Sequence, residues 1–91
     1  MVKKTVKVVN RLGMHARPSA MFVSHASKFK AEIFLEKDRL EVNGKSIMGV
    51  MMLAAEAGSE LIITAEGEDE NEAVASLAEL ISSGFGDLKN L

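Results

Sequence analysis

The first residues of the chain alternate between apolar and polar side chains. Over residues 2–9, three valines at even positions alternate with lysine and threonine at odd ones. A period of two predicts a β-strand with one buried face. Residues 60–66 repeat this period and predict another such strand. Residues 31–36 and 40–42 predict two short strands that form a hairpin around a turn at residues 37–39.

The first helix is predicted over residues 16–28, where apolar residues recur every three or four positions. This spacing places the apolar residues along one face of an α-helix, in a stripe broad enough to cover a sheet. The stripe has two neighbouring rows, with Ala16, Ala20 and Val23 in one and Phe22, Ala26 and Phe29 in the other. We therefore expect this helix to pack on the strands.

Two further helices are predicted to begin at residues that favour helix N-termini. Ser46 stands at the N-cap position of a short apolar segment, and Asp69 stands at that of a longer one. Glu72, three residues after Asp69, completes a variant of the capping box. Gly84 and Gly86 are expected to end the last helix. Its predicted buried stripe consists of Ala73, Val74, Leu77, Leu80 and Ile81.

The predicted elements follow one another in the order β-α-β-β-α-β-α. A chain of 91 residues can bury one modest core, so we expect a single domain that spans residues 1–91. Helices packed on one face of an antiparallel sheet bury the apolar faces of all these elements. The predicted fold class is α+β, with a four-stranded antiparallel sheet covered on one face by three helices.

Composition and charge argue against several classes of function. The net charge of −2 gives no general attraction to nucleic acid or anionic lipid, and without cysteine there is no disulfide or thiolate metal site. RNA-binding sheets stack bases on aromatic strand residues, and here only Phe34 lies in a predicted strand. The longest nearly apolar run, residues 47–55, is far shorter than the roughly 20 residues of a membrane helix. Because no signal peptide is evident either, the sequence predicts a soluble cytoplasmic protein without nucleic-acid or membrane partners.

The segment GMHARPSA, residues 13–20, places His15 where the first helix begins. The backbone amides of Ala16 and Arg17 have no partner inside a helix that starts here, and the helix dipole adds partial positive charge. Arg17 adds a full charge with a donor fork that matches phosphate oxygens. Pro18 suits a first turn, and Gly13 lets the preceding loop turn sharply. These features together predict a phosphate-binding site beside an imidazole.

An imidazole held against a phosphate predicts phosphoryl transfer. Near neutral pH an unprotonated ring nitrogen of His15 is a nucleophile, and a phosphoryl group bonded to nitrogen retains high transfer potential. The alternative is that His15 only caps the helix or packs in the loop. No metal site is predicted, because the other histidine, His25, lies ten positions further along the same helix and on a different face. No cofactor is expected.

The segment that follows Ser46 is apolar almost all round the short helix. Ser46 could serve only as an N-cap, which contributes roughly 1 kcal/mol, and Gly49 weakens the helix by up to about 1 kcal/mol. Ile47, Met48 and Met51 cannot all share the inward face with the other apolar residues of the helix. Some of them should be exposed, and a flexible methionine-rich surface suits partners of different shapes. We therefore predict a partner-docking patch at Ile47, Met48 and Met51.

These residues resemble those of HPr, the histidine-containing phosphocarrier of the phosphoenolpyruvate-dependent phosphotransferase system. The likeness covers essentially the whole chain, with GMHARP around His15 and KSIMGVMML around Ser46. It implies an open-faced β-sandwich and a carrier rather than an enzyme. It also implies that His15 accepts a phosphoryl group on Nδ1 from the phosphorylated histidine of enzyme I and passes it to a IIA domain. Arg17 would steady the phosphate.

The resemblance further implies regulation at Ser46 by an HPr kinase/phosphorylase, in organisms that have one. The alternative function is a regulatory binding module, with a transcriptional regulator as partner, whose output depends on phosphorylation of Ser46. The ending of the chain, residues 80–87, is similar to the nitrogen-related branch of the family, whereas KSIMG is similar to the sugar-transport branch. Both branches therefore stay open. A carrier whose site must fit two different partners is expected to be a monomer.

Overall fold

The computed structural model describes residues 1–86 and contains the seven predicted elements in the predicted order. Their bounds are β1 Val2–Lys7, α1 Ala16–Ala26, β2 Glu32–Lys37, β3 Leu40–Asn43, α2 Ile47–Met52, β4 Glu60–Glu66 and α3 Glu70–Ser82. Asp87, the last residue of the ending compared with the nitrogen-related branch, lies outside the described residues. Within residues 1–86, no helix has the length and apolar character needed to cross a membrane.

The four strands form one sheet in the order β1-β4-β2-β3, and every neighbouring pair is antiparallel. Val6 lies opposite Leu61, and Leu35 lies opposite Ile63, so the apolar positions of adjacent strands share one face. The helices cover that face. The core includes Val6, Ile33, Leu35, Leu61, Ile63 and Ala65 from the sheet and Phe22, Val50, Leu77 and Ile81 from the helices. The predicted fold class is confirmed.

The inward face of α1 differs in part from the predicted stripe. The buried residues of this helix are Pro18, Ser19, Phe22 and Ala26. Phe22 and Ala26 are thus confirmed as buried, whereas Phe29 lies after the end of the helix and is only partly buried. Ala16 and Ala20 are exposed, and their predicted burial was wrong. An alanine side chain is small and only weakly apolar, so it is found on both the buried and the exposed face of a helix. Alanine positions therefore do not identify the buried face. Ser19 tolerates burial because its hydroxyl donates a hydrogen bond to the Met14 carbonyl at 3.0 Å.

Asp69 does not form the predicted capping box at the start of α3. Its side chain makes no capping hydrogen bond. The two carboxylate oxygens instead accept hydrogen bonds from the amides of Lys30 and Ala31, each at 2.8 Å. The Lys30 amide is the main cause that lowers the pKa of Asp69 below its ordinary value. Asp69 therefore ties the loop between α1 and β2 to the beginning of α3.

The hairpin between β2 and β3 turns at Asp38 and Arg39. Both residues have positive φ, 51° and 71°, as the two central residues of a type I′ turn require. Lys37 pairs with Leu40 on either side of the turn. The predicted hairpin is confirmed, and each of its strands ends one residue later than predicted.

Candidate functional site

His15 lies at the N-cap of α1, with extended backbone angles of φ −77° and ψ −169°. Its carbonyl accepts the first hydrogen bond of the helix, from the amide of Ser19 at 3.0 Å. Its half-buried side chain makes no capping hydrogen bond. The backbone of His15 thus belongs to the helix, while its imidazole is left out of the capping network and is available to a ligand or partner.

The first turn of α1 concentrates positive charge next to this imidazole. The amides of Ala16 and Arg17 precede the first intrahelical donor, and the third residue, Pro18, has no N–H to offer. No acidic residue lies in the first turn. Arg17 is exposed and adds its guanidinium charge to the same helix end. This end of the helix therefore suits an anion the size of a phosphate.

The loop that precedes His15 is held by two hydrogen bonds between Asn10 and Gly13. The amide of Gly13 donates to the carbonyl of Asn10 at 3.0 Å, and the buried side-chain amide of Asn10 donates to the carbonyl of Gly13 at 2.6 Å. Gly13 has a φ of +70°, and a Cβ atom built there would lie 2.3 Å from the carbonyl oxygen of Ala55. Only glycine fits this position. Asn10 was not among the predicted site residues, although an asparagine three residues before a glycine, between a strand and a helix, is typical of a turn.

A cleft of about 320 Å³ opens beside His15. Its lining, which we call the His15 cleft, consists of Arg11, Leu12, Met14, His15, Met51, Ala54, Ala55, Glu56 and Ala57. The cleft brings His15 together with Met51, one of the predicted docking residues. Arg17 and Ser46 are not part of its lining. A larger cavity of about 650 Å³ is lined by residues that include Thr5, Arg39 and Glu60, and it contains none of the predicted site residues.

Ser46 is the N-cap of α2, as its position in the sequence predicts. Its Oγ accepts a hydrogen bond from the amide of Gly49 at 3.1 Å, and its carbonyl accepts one from the amide of Val50 at 2.9 Å. The residue is half-buried. Its hydroxyl therefore caps the short helix, and the residue as a whole is partly exposed to solvent.

Apolar side chains next to the His15 cleft are exposed. Relative exposures are 59% for Leu12, 45% for Ile47, 77% for Met48, 41% for Met51 and 67% for Met52, and we call these five residues the apolar patch. The structure thus exposes the three predicted docking residues and adds Leu12 and Met52. Leu12 and Met51 line the His15 cleft together, so the patch reaches the imidazole. Nothing in the sequence places Leu12 beside α2, whereas Met52 lies one helical turn after Met48 and could have been found from that spacing.

Several known proteins are similar to this chain. A family model described as "PTS HPr component phosphorylation site" matches residues 2–83. The phosphocarrier protein HPr of Neisseria meningitidis serogroup A is 46% identical over 87 residues, which cover 96% of this chain and 98% of that protein. The HPr-like protein Crh of Bacillus subtilis is 50% identical over 78 residues, or 86% of this chain and 92% of that protein.

Solved structures agree with the fold. The crystal structure of HPr-C-His from Thermoanaerobacter tengcongensis matches with a TM-score of 0.92 at 48% identity, and the match covers 96% of this chain and 98% of that one. A crystal structure of an HPr dimer from the same organism matches with a TM-score of 0.76 at 48% identity, over 96% and 100% of the two chains. The likeness therefore extends along essentially the whole of each protein.

Proposed function

The chain belongs to the HPr family of phosphocarrier proteins, and we propose that His15 accepts the phosphoryl group and passes it on. The donor would be the phosphorylated histidine of enzyme I, and the acceptor a IIA domain. The observation that carries this proposal is the position of His15 at the N-cap of an 11-residue helix, with a side chain that makes no capping hydrogen bond. A nucleophile needs a ring nitrogen whose lone pair is free, and this position leaves one free.

The proposed transfer exchanges one nitrogen–phosphorus bond for another. The lone pair on Nδ1 of His15 attacks the phosphorus atom on the donor histidine, and a new N–P bond forms. The donor's N–P bond breaks, and its electron pair returns to the donor imidazole. In the second step a nucleophile of the IIA domain attacks the same phosphorus atom, and the N–P bond to His15 breaks. Phosphorylated His15 is therefore a covalent intermediate, and the imidazole is regenerated.

The phosphoryl group would be held at the first turn of α1. The amides of Ala16 and Arg17 and the Arg17 guanidinium supply positive charge at the side of His15 where the phosphate oxygens would lie. The same charges stabilise the transferring group, in which negative charge spreads over the three oxygens. Ala16 and Arg17 are therefore proposed as the phosphate-binding residues.

Partners would dock on the apolar patch. A donor or acceptor must bring its own histidine to within bonding distance of His15, so its surface must cover the His15 cleft and the residues around it. Ile47, Met48 and Met51 offer apolar contact without a fixed shape, which suits two different partners. Arg11, which lines the His15 cleft, and Arg17, two residues after His15, are exposed positive charges and favour partners whose rims are acidic.

Phosphorylation with purified enzyme I tests the proposal. The protein is mixed with phosphoenolpyruvate and enzyme I of the sugar or the nitrogen-related branch, and its mass and ³¹P spectrum are followed. We expect one phosphoryl group that is labile in acid and stable in base. The branch whose enzyme I reacts faster is the branch to which the carrier belongs.

Two histidine variants make the test specific. His15→Ala should accept no phosphoryl group. His25→Ala should accept one as the unmodified protein does, because His25 lies in the last turn of α1, away from the proposed site. The proposal would be contradicted if His15→Ala were phosphorylated. It would also be contradicted if neither enzyme I phosphorylated the unmodified protein.

A second candidate function is regulation through Ser46, and the similarity to Crh, described as the catabolite repression HPr of Bacillus subtilis, favours it. Phosphate on Ser46 would sit at the N-terminus of α2, where the fold tolerates negative charge, beside the apolar patch. In this case an HPr kinase/phosphorylase labels Ser46, and a transcriptional regulator binds the labelled protein more tightly. Equal affinity for both forms, measured by calorimetry, would remove this candidate. The presence of both His15 and Arg17 favours the carrier function instead.

We further propose that the chain acts as a single domain and a monomer in the cytoplasm. A site that must fit two larger partners in turn is most simply presented by a monomer. The related HPr from Thermoanaerobacter tengcongensis has also been crystallised as a dimer. Sedimentation equilibrium at the concentrations used for transfer distinguishes the two states, and a dimer that transfers phosphoryl groups at full rate would contradict the monomer.

A further inference from the structure

We infer that the three methionines of α2 form an oxidation-sensitive site, at which sulfoxide formation weakens docking and so slows transfer at His15. This inference rests on the proposed function, because it concerns the surface through which partners would reach His15. The chain has six methionines, and three of them, Met48, Met51 and Met52, lie in the six residues of α2. Their relative exposures are 77%, 41% and 67%, so a dissolved oxidant can reach these side chains.

The fold does not depend on these three side chains. The buried residues that anchor this segment are Val50, which is fully buried, and Leu53, which is 4% exposed. Ser46 secures the N-terminus of the helix through its hydrogen bond from Gly49. Oxidation of surface methionines therefore changes the chemistry of the surface and leaves the core packing in place. By contrast, Met14 is 3% exposed and is protected inside the fold.

The modification is a two-electron oxidation by a peroxide. The sulfur lone pair attacks one oxygen of hydrogen peroxide, an S–O bond forms and the O–O bond breaks. The sulfur is oxidised by two electrons, and the peroxide is reduced. The second oxygen leaves as hydroxide, takes the proton from the new S–OH group and becomes water. The product is methionine sulfoxide, which a methionine sulfoxide reductase converts back to methionine.

Sulfoxide formation would change what the apolar patch offers to a partner. A flexible apolar side chain becomes a polar one whose oxygen must lose its water on docking. Met51 also lines the His15 cleft, so the change reaches the residues next to the imidazole. No charge is added, and His15 and Arg17 keep their chemistry. The expected result is weaker docking with an unchanged transfer step.

Peroxide treatment of the whole chain tests the inference. Peptide mass spectrometry maps the sulfoxides, and circular dichroism and thermal unfolding report on the fold. Transfer from phosphorylated enzyme I is then measured over a range of carrier concentrations. We expect oxidation at Met48, Met51 and Met52 to raise KM by about tenfold with little change in kcat, and methionine sulfoxide reductase to restore KM.

Leucine variants identify the responsible residues. A triple variant, Met48→Leu with Met51→Leu and Met52→Leu, keeps apolar side chains of similar volume but has no sulfur to oxidise at these positions. It is compared with its own untreated sample, whatever its starting KM, and peroxide should leave that value unchanged. Met21→Leu is the matched control, because Met21 is a partly buried methionine of α1 outside the apolar patch. This variant should remain as sensitive to peroxide as the original chain.

Each outcome decides a separate question. Sulfoxide at the three positions with an unchanged KM, or an equal loss of transfer in the triple variant, would overturn the oxidation-sensitive site alone. Loss of the helical signal after treatment would also overturn it, because the effect would then be unfolding. An untreated chain that accepts no phosphoryl group would overturn the proposed function first and the inference with it.

Discussion

The amide of Met14 donates a hydrogen bond to the carbonyl of Ala55 at 2.8 Å. This bond joins the loop before His15 to the segment after α2, so the two sides of the His15 cleft are fixed to each other. The imidazole and the α2 residues of the apolar patch, which lie more than thirty residues apart in the sequence, thereby acquire a constant relative position. The proposed docking of partners at one surface beside His15 depends on that position.

Replacement of Gly13 tests this contact. Gly13→Ala places a methyl group at a φ of +70° and within 2.3 Å of the Ala55 carbonyl oxygen. We expect it to lower the free energy of unfolding by about 3 kcal/mol or more, because both the backbone conformation and the steric clash are unfavourable. Urea unfolding measures the change.

The matched control for this substitution is Gly58→Ala. Gly58 also has positive φ, +91°, but a Cβ atom there meets nothing within 4 Å. Its cost should be limited to the roughly 1–2 kcal/mol of a left-handed conformation in a residue other than glycine. Equal costs at the two positions would show that the contact with Ala55 is unimportant.

Arg17 is expected to matter for transfer and not for folding. Its side chain is exposed, so Arg17→Ala should leave the melting temperature almost unchanged. The loss of a bidentate phosphate donor should lower kcat/KM for transfer by roughly 10–100-fold, and Arg17→Lys should recover part of this loss. Lys28→Ala, which removes an exposed charge after the other end of α1, should have little effect. Similar losses for Lys28→Ala and Arg17→Ala would indicate a general effect of charge.

Ser46 is expected to contribute to stability through its cap. Ser46→Ala removes the acceptor of the Gly49 amide and should destabilise the protein by about 1 kcal/mol. Ser46→Asp restores a side-chain acceptor at the helix N-terminus and should recover most of this loss. Ser82→Ala, at an exposed position at the end of α3, should change the free energy of unfolding by less than about 0.5 kcal/mol. Chemical unfolding measures the free energy of unfolding of the three variants. Equal values for Ser46→Ala and Ser82→Ala would show that the Ser46 cap does not stabilise the protein.

Asp69 should make stability depend on pH in acid. Because its pKa is lowered in the folded state, chiefly by the hydrogen bond from the Lys30 amide, its ionised form stabilises the fold at pH above the ordinary value of 3.8. This contribution is lost as the pH falls through the lower folded-state pKa. Asp69→Asn should therefore be less stable than the original chain at neutral pH, and the difference should shrink in acid.

The control for Asp69 lies in the same turn of the chain. Glu72 is an exposed acidic residue of the first turn of α3, and Glu72→Gln should leave the pH dependence of urea unfolding largely as it is. A difference between Asp69→Asn and the original chain that stays constant from neutral pH into acid would show that ionisation of Asp69 does not stabilise the fold.

The elements of the fold could be predicted because their patterns are local. Residues 60–66 carry Leu61, Ile63 and Ala65 at alternate positions and form β4 with the predicted bounds. The Ser46 cap was predicted for the same reason, since a hydroxyl at an N-cap reaches only its own first turn. Asp69 shows where local reasoning fails. A carboxylate before a helix can accept hydrogen bonds from the first amides of that helix or from the amides of another loop. Here it accepts them from the loop that follows α1.

The sequence by itself determined the chemistry of the candidate site, because His15, Arg17 and Pro18 lie within four consecutive residues at a helix start, and the backbone of that turn positions them. The tertiary structure alone decided which residues surround His15. The contact of Met14 with Ala55 is long-range, and no periodicity in the chain specifies which loop will face another. The placement of Leu12 and Met51 in one cleft with His15 depends on how the helices pack on the sheet. Packing depends on the shapes of all the buried side chains together, and for that reason it is read from the folded molecule.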